Sequence, residues 1–247
     1  MDYDAFMEIV RNTRSIRRFR PEPVPDDFVD RIIEAARWAP SGFNQQPWEF
    51  VVIKDPAYRG KIAGWYGEYM AQTRTMETTR EAWQKAWDPE PTGSAADFSV
   101  APVYILLLGD TRTKPGLPMS MRYNPARQEY IFSASLANAF LYMHMAAGVL
   151  GLASQWVSGI ASPYVHCLVK DLLGLPEKLE IYDMLAVGYP AARPRPKLLR
   201  EKSEMVHYDY CGPDAFRSDE EVRDFVRKAR SWTMASHARQ ADGQQPD

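Results

Sequence analysis

Val103-Tyr104-Ile105-Leu106-Leu107-Leu108 is an unbroken apolar run between Pro102 and Gly109. A strand with no polar face has to be covered on both sides, so this chain must supply layers above and below it. The longest apolar stretch, Leu136 to Leu152, is interrupted by Asn138, His144 and Gly148. It reads as a buried helix rather than a membrane span, part of a long helix from about Ala126 to Leu150 that closes on Gly151. Among 247 residues, 45% are hydrophobic and 25% charged, the balance of a globular chain able to bury such elements.

The remaining elements follow from periodicity and punctuation. A short helix is expected over Asp4 to Asn12, with Phe6, Ile9 and Val10 on one face. Pro21, Pro23 and Pro25 force an extended connection. Asp26 is the expected N-cap of a helix running to about Trp38, which Pro40 and Gly42 end. Trp48 to Ile53 reads as a strand, and Asp55-Pro56 opens a polar helical stretch reaching about Trp87. A loop is expected over Thr111 to Pro125. Strands at Ala153 to Val157 and Glu180 to Val187 flank a helix from Pro163 to Leu173. An extended segment over Met205 to Tyr208 precedes a last helix, Asp219 to Trp232. The expected organisation is one domain over residues 1–235, variable over 63–125, with a polar, disordered tail over 236–247. Helices and strands alternate without a regular βαβ repeat, which favours an α+β fold. No strand leads into G-x-G-x-x-G, so a nicotinamide cofactor would be a transient substrate rather than a resident one.

Several function classes drop out. A net charge of -2 gives no bulk attraction for nucleic acid. Cys167 and Cys211 make neither a disulfide framework nor a metal-type spacing, and Cys167 is expected to be a small buried residue. Met1-Asp2-Tyr3-Asp4 opens no signal peptide, and a cytoplasmic protein is expected. His144 is expected as a satisfied core histidine, while His166 has no metal-spaced partner nearby.

Two segments carry chemistry. Arg14-Ser15-Ile16-Arg17-Arg18-Phe19 places guanidinium groups and a hydroxyl on a few residues of backbone, suited to a phosphate and a polar ring edge. In an extended conformation Arg14 and Ile16 point one way, Ser15 and Arg17 the other. Ala39-Pro40-Ser41-Gly42-Phe43-Asn44-Gln45-Gln46-Pro47-Trp48 is a turn loaded with amide and hydroxyl donors that runs into a strand. Taken alone, the first segment reads as a solvated basic strand, and Asn44 and Gln46 read equally well as loop-satisfying side chains.

In this order the two segments resemble the nitroreductase family. Gly151-Leu152-Ala153-Ser154-Gln155-Trp156 after the long helix, and Val187-Gly188-Tyr189-Pro190 followed by Lys197 and Arg200, extend the resemblance from about Tyr3 to Tyr210. It implies an α+β nitroreductase-like fold, a central mainly antiparallel sheet flanked by helices, in an intertwined homodimer with FMN at the interface. By position, Arg14 and Ser15 would bind phosphate, Arg17 the flavin pyrimidine edge, and Pro40, Ser41, Asn44 and Gln46 would line the flavin. Ser158 and Gly159 match the segment whose backbone amide points at flavin N5. Arg200 would return to the phosphate with help from Lys197 or Arg195. Thr13 stands where family members often carry a further arginine.

The resemblance also implies ping-pong hydride transfer from NADH or NADPH through FMN to a nitroaromatic, quinone or activated alkene. Trp65, Tyr66 and Tyr69, or Trp83 and Trp87, are the aromatic candidates for a substrate lid, with ordinary packing as the alternative role. Arg122 and Tyr123 lie in a second candidate substrate loop, beside Met119 and Met121. Other readings on the same scaffold are a reductive dehalogenase using Glu68, Tyr69 and Lys85, a flavin-fragmenting enzyme, or a flavin-binding protein without turnover.

Overall fold

The computed structural model describes residues 2–76, 79–84, 97–191, 197–212 and 215–241. The helices are α1 (Tyr3–Asn12), α2 (Asp26–Arg37), α3 (Pro56–Met76), α4 (Met119–Arg122), α5 (Pro125–Val149), α6 (Pro163–Leu173) and α7 (Asp219–Ala241). The strands are β1 (Trp48–Ile53), β2 (Val103–Asp110), β3 (Ala153–Val157) and β4 (Leu179–Gly188). They form one four-stranded sheet in the order β1-β2-β4-β3, every pair antiparallel. The fold is α+β. The chain divides into two units, one of Met1–Tyr69 with Ser94–Pro194 and the other of Met70–Gly93 with Arg195–Asp247.

In the first unit β2 is covered on both faces, as its composition demands. Tyr104, Leu106 and Leu108 face Ile62 of α3 and Val165 and Val169 of α6. Val103, Ile105 and Leu107 face Val29 and Ile32 of α2 and Leu136, Phe140 and Met143 of α5. Burying each large apolar side chain is worth about 1.5–3 kcal/mol, so this one strand anchors both layers. Gly109 ends the apolar run because α5 crosses directly above it. A Cβ there would lie 2.4 Å from Phe132 Cζ and 2.7 Å from Leu136 Cδ1.

β1, β3 and α6 coincide with the expected ranges, and Gly174, in the left-handed region at φ 62°, closes α6. Asp26 proves to be the first residue of α2; Pro25 holds the cap position without a side-chain bond, and the Asp26 carboxylate pairs with Lys54 instead. The expected loop at Thr111 to Pro125 contains a 3-10 turn, Thr111–Gly116, and α4. Asp110 starts the turn by accepting the Arg112 amide at 2.9 Å. Cys167 is exposed rather than buried, since Val165 and Val169 hold the inward face of α6 and residue 167 falls opposite. Trp87 and Lys85 lie outside the described residues, as does Arg195.

In the second unit, α7 begins with a reciprocal cap. The Ser218 amide donates to Glu221 Oε2 at 2.7 Å, and the Glu221 amide donates to Ser218 Oγ at 3.3 Å. Arg223 lies over the Trp83 ring at 5.5 Å. The helix continues past Trp232 to Ala241, so residues 236–241 of the expected tail are helical. No glycine or proline interrupts Thr233 to Ala241, and its three alanines favour continuing the helix. Among the described residues, no helix is long and apolar enough to cross a membrane.

Candidate functional site

The Arg14–Phe19 segment lies along the outer edge of β3. Ser15 bridges Ser154 in parallel, and Phe19 bridges Pro190 beyond the end of β4. The Ile16 amide donates to the Ser154 carbonyl at 3.0 Å, and Ile16 itself turns into the core. Ser15 Oγ accepts the Trp156 amide at 3.1 Å; a hydroxyl that accepts one bond still carries a proton to donate. The Arg14 guanidinium donates to the Arg11 carbonyl, and Arg17 Nη1 to the Ser15 carbonyl at 3.5 Å. Partial burial pulls the Arg14 guanidinium below its ordinary value, but arginine stays cationic, so this is a charge partly removed from water. Thr13, at the position that could have carried another arginine, instead packs against α5: a Cβ on Gly148 would lie 2.8 Å from Thr13 Oγ1.

The strand beside this segment supplies two further groups. Gln155 is buried on β3, and its Oε1 has no hydrogen-bond partner among the described residues. Ser158 and Gly159 leave the end of the same strand in a 3-10 turn. Gly159 does not owe its identity to turn geometry. A Cβ there would meet Tyr66 Cε2 at 2.8 Å and Tyr69 Cε1 at 3.3 Å, so close aromatic packing from α3 requires a glycine.

The second segment is a strained loop held from several sides. Phe43, Asn44 and Gln46 sit in the left-handed region at φ 54°, 54° and 46°. Such residues cost about 1–3 kcal/mol each, and a bulky phenylalanine is the least expected of the three. Asn138 Nδ2 donates to the Pro40 carbonyl at 2.9 Å, and the Gly42 amide to Ser135 Oγ at 3.0 Å. Ser41 Oγ accepts the Gln46 amide at 3.0 Å, and Gln46 Nε2 donates to Asn44 Oδ1 at 3.1 Å. Gly42 also lies against α5, where a Cβ would stand 2.3 Å from Ile131 Cγ2. The loop is thus over-determined, while Phe43 remains 59% exposed.

The two segments occupy opposite corners of the sheet. Ser15 neighbours Ser154, which pairs with Val187 at the exit of β4. Trp48, just past the loop, pairs with Gly109, which pairs with Glu180 at the entry of β4. These levels are seven residue steps apart along β4, about 23 Å, and the width from β3 to β1 adds about 14 Å. The other candidates divide the same way. Tyr69 lies with Gly159 at the β3 edge, and Trp65 packs on that face of the core. Arg122 donates to the Pro115 carbonyl at 2.8 Å, and a Cβ on the adjacent Gly116 would lie 2.8 Å from Gln45 Nε2, which places Arg122 and Tyr123 on the loop side. Glu68 accepts the Tyr164 hydroxyl at 2.6 Å. Lys197 and Arg200 belong to the second unit, where Arg200 Nη2 donates to the Glu204 carbonyl at 2.7 Å.

Two titratable groups lie buried beneath the β3 edge. His144 Nδ1 and Ser154 Oγ share a hydrogen bond at 2.6 Å, and burial pushes the imidazole down to about 4. This is a neutral core histidine, as its apolar helix implies. Trp156 Nε1 donates to Asp183 Oδ2 at 2.5 Å; burial pushes that carboxyl up to about 6, against the pull of the indole bond. His166 pairs with Glu180 at 2.9 Å, and no metal-binding cluster occurs among the described residues. Asp183, Gln155 and Phe43 escape sequence reasoning. A period-two pattern on β3 marks position 155 as inward-facing but not unpartnered, and nothing in the sequence marks φ at position 43.

The Nitroreductase family profile matches residues 10–189. This chain belongs to the nitroreductase family. Iodotyrosine deiodinase 1 of Rattus norvegicus is 27% identical over 196 residues, 77% of this chain and 64% of the deiodinase. The 5,6-dimethylbenzimidazole synthase of Rhodospirillum rubrum is 28% identical over 188 residues, 76% of this chain and 83% of the synthase. The fold matches a crystal structure of oxidized iodotyrosine deiodinase bound to FMN and 3-iodo-L-tyrosine with a TM-score of 0.65 and 22% identity, covering 83% of this chain and 99% of the other. The chain thus spans about two thirds of the rat relative's length, and a putative NADH dehydrogenase/NAD(P)H nitroreductase of Archaeoglobus fulgidus is 25% identical over 186 residues, 74% of this chain and 84% of that protein.

Proposed function

We propose that the protein is an FMN-dependent oxidoreductase that takes electrons from NADH or NADPH and delivers them to an electron-poor acceptor such as a nitroaromatic, quinone or activated alkene. The observation that carries this reading is the donor set on one strand edge. Arg14, Ser15 and Arg17 flank β3, Gln155 Oε1 lies within it as a buried acceptor without a partner among the described residues, and Ser158–Gly159 leave its end. Ser154 and Ser158 are four residues apart, about 13 Å along the strand, a span that a mononucleotide can bridge. These groups fit FMN: cations and a hydroxyl for phosphate, a cation for the pyrimidine edge, an acceptor for a ring N–H.

The bound flavin would supply the hydride chemistry, accepting from the nicotinamide and passing to the acceptor. The chain's contribution is positioning and charge. Arg17 fixes a cation where negative charge develops at the pyrimidine edge, and the Gly159 amide is the proposed donor to N5. Pro40, Ser41, Asn44 and Gln46 cannot reach the same flavin from the opposite corner of one subunit. A second copy supplies them in the proposed homodimer, and the exposed apolar side chains of α1 and α5 (Tyr3, Phe6, Val10, Leu141, Tyr142, Val149) offer it a surface. Lys197 and Arg200 remain proposed phosphate partners.

The test is spectral. Purified protein should be yellow or take up FMN, run as a dimer, bleach on addition of NADH or NADPH without oxygen, and recover its colour with a nitroaromatic or quinone. A colourless protein that cannot be reconstituted overturns the reading. Bound FMN that no nicotinamide reduces would leave a flavin-binding protein without turnover.

A further inference from the structure

Gly159 is bare although its backbone does not require it. Among the described residues, the glycines at positive φ are Gly151 and Gly174, so the Gly159 conformation is open to other residues. What excludes a side chain is the Tyr66 ring, whose Cε2 and Cζ would stand 2.8 and 3.4 Å from a Cβ there. Glycine has more conformational freedom than any other residue, a poor choice for an amide that must keep one direction. The fold restrains it from three sides. The Ser162 amide donates to the Gly159 carbonyl at 3.2 Å, the next side chain, Ile160, is fully buried in the core, and the Tyr66 ring lies where a Cβ would be. The amide itself is left over. As the second residue of the 3-10 turn Ser158–Ala161, Gly159 finds no i−3 carbonyl within that turn.

The ring is held in its turn by the central strand. Tyr66 meets Phe98 edge to face with centroids 5.0 Å apart, and Phe98 meets Tyr104 of β2 in the same way at 5.3 Å. Phe98 and Tyr104 are fully buried. The Tyr104 hydroxyl donates to the Phe98 carbonyl at 3.3 Å, and Arg59 Nη1 donates to the Ala101 carbonyl at 2.7 Å, which pins the 3-10 turn Asp97–Val100 to the sheet. Edge-to-face contacts are directional and stabilise beyond simple burial, so three rings carry the rigidity of β2 to the Gly159 turn.

The inference rests on the flavin reading above, in which the Gly159 amide donates to N5. We propose that Tyr66 is a positioning residue that acts through Gly159: its ring, backed by Phe98, fixes the direction of the amide and so sets the preference of the site for oxidised over reduced flavin. N5 accepts a hydrogen bond in the oxidised ring system and carries a hydrogen in the reduced one, so a donor held at N5 favours the oxidised form. Loosening the amide weakens oxidised FMN more than reduced FMN, and the reduction potential rises.

The experiment compares wild type, Tyr66→Phe and Tyr66→Leu. Anaerobic equilibration of the FMN-loaded proteins against redox dyes reads the two-electron potential of the bound flavin. Hydrogen exchange on the FMN-free proteins reads the amides of the Gly159 turn. Tyr66→Leu should lower the ratio of oxidised to reduced FMN affinity by about tenfold, as for one lost hydrogen bond, which raises the potential by about 30 mV. Its turn amides should exchange about tenfold faster without flavin, as for one lost aromatic contact. Tyr66→Phe keeps the ring and should match wild type in both. Phe98→Leu loosens the ring from behind and should move the potential the same way, a second test where Tyr66→Leu fails to fold. An unchanged potential in Tyr66→Leu would overturn the proposal even with faster exchange, because Tyr66 would then pack the turn without setting the amide. So would an equal shift in Tyr66→Phe, which would assign the effect to the hydroxyl. A wild-type protein that binds no FMN removes the flavin reading first, and this inference with it.

Discussion

Ser15 Oγ accepts the backbone N–H of Trp156 across the edge of the sheet at 3.1 Å, tying the arginine segment to β3 by a side chain where a ladder bond would otherwise run. Ser15→Ala removes that acceptor. The stranded amide should cost about 1–3 kcal/mol in denaturant unfolding, and FMN affinity, followed by quenching of free flavin fluorescence, should weaken about tenfold, as expected for losing a phosphate donor. Ser15→Thr keeps the hydroxyl and should retain most of both.

Gly159 leaves no room for a side chain beside Tyr66. Gly159→Ala should destabilise the protein by about 1–3 kcal/mol through overpacking, measured by urea unfolding. The double variant Gly159→Ala with Tyr66→Leu should recover most of the loss. Failure to recover would mean that the backbone, not the ring contact, requires glycine.

Gln155 carries a buried acceptor without a partner among the described residues. Gln155→Leu should therefore stabilise the flavin-free protein by about 1 kcal/mol and weaken FMN about tenfold, the opposite signs expected when a group is kept for a ligand. Loss of stability in the flavin-free form would show that the amide already serves the fold.

His144 and Asp183 bias stability in opposite directions over the same pH range. His144 titrates at about 4 in the folded chain against about 6.5 unfolded, so the unfolded state holds the extra proton between these values and stability falls as the solution is acidified. Asp183 titrates at about 6 folded against 3.8 unfolded, so the folded state holds the extra proton and stability rises over that interval. Each effect amounts to about 3 kcal/mol in full, and in the wild type they largely cancel between pH 6 and 4. Asp183→Asn should lose stability on acidification relative to wild type, and His144→Asn should gain it, by about 1.4 kcal/mol per pH unit in each case. Parallel curves for the three proteins would show that neither group titrates as the burial implies.

Elements bounded by hard punctuation were legible residue by residue. Pro163 and Gly174 delimit α6, and the apolar run of β2 declares a strand covered on both faces. Where the signal was a single cap residue it misled: Asp26 found Lys54 instead of the helix amides. The two chemical segments were legible as a family signature but not as to place. Their nearness in sequence suggests one pocket wall, yet the connection between them includes α2, whose 12 residues extend about 18 Å, enough to carry the chain toward the other corner of the sheet. Gln155 and Phe43 stayed hidden for a related reason, since a side-chain carbonyl left without a partner among the described residues and a positive φ are properties of the folded chain and leave no trace in composition.

The diagonal separation of the two segments sets what cofactor affinity would mean in the proposed flavin-bound homodimer. In a pocket assembled from opposite corners of two chains, flavin and partner bind as linked ligands, each stabilising the complex with the other by mass action. Diluting the protein at fixed free FMN should then strip the colour from it, and adding FMN should tighten the association of the chains.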